Sequence, residues 1–176
     1  LDAVRVLRVD GPDGRPGAPA VVARRSAPAG APTVLLYAHH DVQPPGNEDD
    51  WGSAPFEPTV RGDRLYGRGA ADDKAGIMAH VAAIRSFVEV VGDDFDLGLV
   101  VFFEGEEEFG SRSFANFITE NRDTLEADVI VVMETRHVDR VRQRAPHLTG
   151  RVHLLGLYDP ERLRFPGRER VDLLDP

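Results

Sequence analysis

The sequence predicts an α/β fold in three layers, with a mixed, mainly parallel sheet flanked by helices. Three observations predict it. Apolar runs of strand length lie at Thr33–Tyr37, Phe95–Phe103 and Ala127–Met133. Such continuous runs read as strands buried on both faces. Helical periodicity fills the intervals at about 74–91 and 111–123, so strand and helix alternate as in parallel βαβ units. Each run also breaks directly into ionisable residues, which is how α/β proteins present chemistry at the C-terminal edge of a sheet.

Taken in order, Leu1 to Val9 alternates apolar and charged residues, a strand pattern. Gly11-Pro12-Asp13-Gly14 is a turn and Ala20 to Ala23 a second strand, so the chain begins as a hairpin. A loop at Pro28 to Pro32 leads into the run at Thr33. After Asp41 comes a long irregular segment, in which Trp51 and Phe56 are expected to anchor the chain onto the core. The glycines of Tyr66-Gly67-Arg68-Gly69 permit a tight path, and Asp72 or Asp73 can cap the helix that follows. On that helix Ile77, His80, Val81, Ile84 and Val88 share one face.

Composition narrows the function. With 176 residues, 41% hydrophobic and 29% charged, the chain suits one soluble domain. A net charge of −9 disfavours nucleic acid and anionic membranes as partners. No apolar run approaches the ~20 residues of a membrane span, and no signal-peptide pattern begins the chain, so a cytoplasmic location is expected. Without cysteine, any zinc must be held by histidine and carboxylates.

Those residue types cluster at the strand ends. In Ala38-His39-His40-Asp41, His39 and Asp41 fall on one side in extended geometry and His40 on the other. A neutral imidazole with a carboxylate two residues on is half of a metal site. Asp72 at a helix start is either a cap or a bridging ligand. The run Glu104-Gly105-Glu106-Glu107-Glu108 follows the most apolar strand, where close carboxylates raise one another's pKa unless a cation neutralises them. One of them is thereby suited to be a general base. Glu134 ends the third run.

The wording of these segments resembles a known family. Tyr37-Ala38-His39-His40-Asp41-Val42-Gln43-Pro44, Leu65-Tyr66-Gly67-Arg68-Gly69-Ala70-Ala71-Asp72-Asp73-Lys74 and Glu104 to Ser111 are similar to the di-zinc exopeptidases and amidohydrolases, above all to the dipeptidase branch. That family includes carnosinase-type dipeptidases, glutamate carboxypeptidase, aminoacylase and succinyl-diaminopimelate desuccinylase. The resemblance implies that His39 and Glu134 hold one zinc, Glu108 the other, and that Asp72 bridges them. It implies that Asp41 orients His39 and that Glu107 is the general base. Two zincs ~3.5–4 Å apart then activate a water against a peptide or amide bond, in a dipeptide or N-acyl amino acid. Mn²⁺ or Co²⁺ would accept the same ligands. Glu134 stands where dipeptidases often have Asp and the amidohydrolase branches have Glu. His80 is expected to be a packing residue rather than a ligand.

The resemblance covers residues 1–135. Residues 136–176 carry 9 arginines against 6 acids and depart from the family pattern. A frameshift is one expectation: a coding stretch AGG-CAC-GTG-GAC for Arg136 to Asp139, read one base later, gives Gly-Thr-Trp, the family's wording. Val152 to Tyr158 is expected as a stray strand and 159–176 as disordered. The family's late histidine ligand and its lid domain, often the dimer interface, are not found in the sequence, and Leu1-Asp2-Ala3-Val4 reads as the start of a piece of a longer chain, so this one is expected to be truncated and poorly active. The expected alternative is therefore a non-catalytic metal-binding fragment. A third reading, acids that bind Mg²⁺ or Ca²⁺, is disfavoured by His39, because hard cations prefer oxygen ligands.

Overall fold

In the computed structural model, which describes residues 1–132, Asp139, Gln143 and 150–154, the chain opens as an antiparallel pair. These strands are β1 (Ala3–Leu7) and β2 (Ala20–Arg25). The first apolar run forms β3 (Thr33–His39). A long connection then contains a small hairpin, β4 (Thr59–Arg61) with β5 (Arg64–Tyr66). There follow α1 (Gly76–Val91), β6 (Gly98–Glu104), α2 (Phe114–Glu120) and α3 (Arg122–Leu125). The strands β7 (Val129–Val132) and β8 (Val152–Leu154) complete the described elements.

Six strands form one sheet in the order β1-β2-β6-β3-β7-β8. β6, β3, β7 and β8 run parallel, and β2 joins β6 antiparallel. Helices cover both faces, as the apolar runs require. Phe103 stacks beneath His80 of α1 at 6.3 Å, while its neighbour Phe102 stacks on Phe117 of α2 at 5.1 Å. Adjacent strand residues point to opposite faces, so α1 and α2 lie on opposite sides of β6. The main core lies on the α2 side and joins Val9, Ala20, Val22, Val100, Phe102, Phe117 and Leu125.

This topology fixes where a site can be. β3 leads towards α1 on one face, and β6 leads into α2 on the other. Where neighbouring strands send their connections to opposite faces, a crevice opens between their C-terminal ends. Here those ends are His39 and Glu104, paired in register.

Several expectations are corrected. Phe56 is 61% exposed and anchors nothing. Trp51 instead braces the segment against itself, donating from Nε1 to the Pro45 carbonyl at 2.9 Å, with the Arg68 guanidinium over its ring. The helix expected from residue 74 starts at Gly76, after an irregular turn in which Asp72 is extended. Asp73, not Asp72, caps it, accepting the Gly76 N–H on Oδ1 at 3.1 Å. The single helix expected at 111–123 is broken at Asn121, where the backbone leaves helical geometry at φ −114° and ψ 24°. On α1, by contrast, the half-buried positions include Ile77, His80, Val81, Ile84 and Val88, the face that periodicity selects. β8 lies inside the arginine-rich segment and pairs with β7.

Candidate metal centre

The site begins with an imidazole at the end of a buried strand. His39 is 7% exposed, and its backbone N–H donates to Asp73 Oδ2 at 3.2 Å. Asp73 therefore ties the end of β3 to the start of α1 and sets Asp72 beside the ring. His39 Nε2 lies 2.8 Å from Asp72 Oδ1 and 3.8 Å from Glu107 Oε2. On its other side, Nδ1 lies 3.3 Å from Asp41 Oδ1, and both of these atoms are buried without a hydrogen-bond partner. Their alignment falls short of a hydrogen bond, but the charge contact is close.

A neutral imidazole can satisfy one such carboxylate, not both, because only one of its nitrogens carries a proton. Burial pulls the His39 pKa down, but Glu107, Asp72 and Asp73 together outweigh it and the pKa is raised. The ring therefore needs a second proton at Nε2 or a cation in its place. Such surroundings, with Nδ1 backed by a buried carboxylate and Nε2 facing two more, would suit a metal ligand as well as an imidazolium. Burial also raises the Glu107 pKa, with Glu108, Asp72 and Glu104 adding to it and His39 opposing.

The other predicted residues are placed as follows. Asp41 Oδ2 accepts the backbone N–H of Glu108 at 3.0 Å, so Asp41 touches both His39 and the Glu108 backbone. The Glu108 carboxylate is turned to Gln43, at 3.2 Å from its backbone N–H and 2.9 Å from its side-chain amide. Glu134 lies outside the described residues, as does the segment 159–176. Among the described residues no three acidic or histidine side chains stand as a ready coordination shell. The chemistry of the set at His39 nonetheless fits a divalent cation, for the reason given by its two nitrogens.

Glu106 belongs to a different task from its neighbours. It is 8% exposed and points away from His39. Its Oε2 accepts the Ser113 N–H and Oγ–H at 2.8 and 2.7 Å, and its Oε1 accepts the Ala18 N–H at 3.0 Å. Burial alone would raise its pKa, but the Ser113 and Ala18 donors and Arg112 hold it below the usual range. The glutamate run is thus split between an anchor and a site. The residues that sequence reasoning assigned no role are Gln43, Lys74 and Glu104. Lys74 Nζ donates to the His40 carbonyl. Glu104 accepts the Tyr37 hydroxyl at 2.7 Å, and burial with this bond keeps the phenol protonated. His40 turns aside, as alternation requires, to the Pro19 carbonyl at 2.8 Å.

The profile of peptidase family M20/M25/M40 matches residues 35–154, two thirds of the chain and all of this site. The chain belongs to that family. The cysteinylglycine-S-conjugate dipeptidase of Corynebacterium striatum is 38% identical over 133 residues, covering 75% of this chain and 28% of that protein. The β-Ala-His dipeptidase of Mus musculus is 32% identical over 142 residues, 78% of this chain and 28% of that one. Among solved structures, an M20 family metallo-carboxypeptidase from Sulfolobus solfataricus superposes with a TM-score of 0.61 at 33% identity, over 73% of this chain and 28% of that one. The chain therefore spans less than a third of the length of these relatives. The family is one of hydrolases, and it implies a divalent metal. Among the described residues no helix is long and apolar enough to cross a membrane.

Proposed function

We propose that the protein hydrolyses the amide bond of a dipeptide or N-acyl amino acid with the help of divalent metal at the β3/β6 crevice. The observation that supports this most is the His39 ring, buried with both nitrogens against carboxylates. In this reading His39, Asp72, Glu108 and Glu134 would hold two zinc ions, which when bound supply an acidified water and a polarised scissile carbonyl. Asp41 fixes the ring so that Nε2 faces the crevice. Glu107 takes the proton from the attacking water and returns it to the leaving amine, and its raised pKa suits both transfers. The names of the relatives make cysteinylglycine and β-alanyl-histidine the first substrates to try.

The test is zinc-dependent release of free amino acid from these dipeptides by the full chain. The expected result is release that a chelator stops and that Glu107→Gln slows ~10²–10⁴-fold while zinc stays bound. Zinc bound without any release from either dipeptide would instead favour a metal-binding role without catalysis.

A further inference from the structure

We propose that Gln43 is the positioning residue of the Glu108 carboxylate, and that through it Gln43 sets the affinity of the Glu108 metal position. The inference rests on the reading of the site as a metal centre. It comes from the way the segment 41–43 grips Glu108. Asp41 Oδ2 accepts the Glu108 N–H at 3.0 Å, and Gln43 Nε2 donates to the Glu108 carbonyl at 2.9 Å. The Gln43 backbone N–H donates to Oε1 at 3.2 Å, and Nε2 donates to Oε2 at 2.9 Å. All four polar groups of Glu108 are thus held by residues just after β3.

Holding both carboxylate oxygens is not the same as occupying them. Each has two lone pairs, so one donor on each leaves one lone pair per oxygen for a cation while fixing the plane of the group. The side chain of Glu108 stands at a helical turn of only three residues, Glu107–Phe109, beside an exposed Phe109. β6 ends at Glu104 and gives it no direct support, and Gln43 supplies that support from the segment after β3. Because Asp41 also backs His39, the short clip Asp41-Val42-Gln43 sets the ligand of β3 and the ligand after β6 in one frame. Residues that orient metal ligands in this way commonly change affinity 10–100-fold when removed.

The test is zinc titration of the full chain by calorimetry, with Co²⁺ absorption as a second readout, on the wild type, Gln43→Met, Glu108→Gln and the double variant. Gln43 is exposed, and Met keeps its length without its donors, so the urea midpoint of Gln43→Met is expected to stay that of the wild type. The expected result is about tenfold weaker zinc binding in Gln43→Met, an altered Co²⁺ spectrum, and no further effect of Gln43→Met once Glu108 is Gln. Unchanged affinity would overturn the proposal. So would tighter binding, which would make Gln43 a competitor for the carboxylate, or an equal loss in the Glu108→Gln background. A wild type that binds no zinc would overturn the metal-centre reading itself, a different failure.

Discussion

Glu106 offers a sharp energetic prediction, because its role is to hold the site's framework rather than to react. Glu106→Gln keeps shape and volume but replaces one acceptor oxygen by an NH₂ group. If the amide oxygen stays with Ser113, which supplies two donors, the NH₂ meets the Ala18 N–H and Arg112, 3.0 and 3.8 Å from the present oxygen. One charge-assisted hydrogen bond is lost and a donor is left facing a donor. A hydrogen bond to a charged group contributes ~1.5–3 kcal/mol, and the orphaned buried donor adds to the cost. The expected destabilisation is about 3 kcal/mol at neutral pH. The effect must also depend on pH. The folded pKa lies below the ordinary value of 4.5, so the carboxylate's contribution is fully present above that value and is lost as pH falls through the folded pKa. Urea unfolding followed by circular dichroism from neutral pH downwards should show the gap between wild type and variant closing as the solution becomes acid. A variant as stable as wild type at pH 7, or a gap that does not change with pH, would refute the reasoning.

Other expectations follow from the same geometry. Phe102→Ala removes the ring that meets Tyr37, Phe114 and Phe117 and should cost ~3–5 kcal/mol in chemical denaturation. Asp73→Ala removes both the cap of α1 and the acceptor of the His39 N–H; it should lower stability by about 1 kcal/mol and weaken zinc binding in calorimetry. Since zinc must displace a proton from a His39 whose pKa is raised, zinc affinity should begin to fall, as the pH is lowered, at a higher pH than free histidine's 6.5. Glu107→Gln should slow peptide hydrolysis ~10²–10⁴-fold in a product-release assay and leave zinc affinity close to that of wild type.

Strands and helix faces were legible because burial writes itself into periodicity. The run Gly98–Glu104 is almost wholly buried, and the half-buried stripe of α1 includes the residues its spacing selects. The candidate site was legible where its residues end buried strands: His39, Asp41 and Glu107 meet, and Asp72 joins them. What escaped was local competition. Asp72 and Asp73 are neighbours of one chemical type, and only backbone direction decides that Asp73 caps while Asp72 faces the histidine. Three adjacent glutamates read as one cluster, yet the strand end turns Glu106 into the core, where donors from Ser113 and Ala18 satisfy its charged carboxylate. Phe56 and Trp51 share an aromatic signature, and only Trp51 has a polar edge that finds the Pro45 carbonyl. Gln43 carried no signal of its own, because a glutamine between apolar residues and prolines announces no partner sixty-five positions away.

The central claim is that the ends of β3 and β6 build a metal centre around His39. Equilibrium dialysis of zinc against the wild-type chain and His39→Ala tests it most directly. The account predicts saturable binding by the wild type and its loss in the variant, with the chain still folded by circular dichroism. Zinc binding that survives the loss of His39 would contradict it.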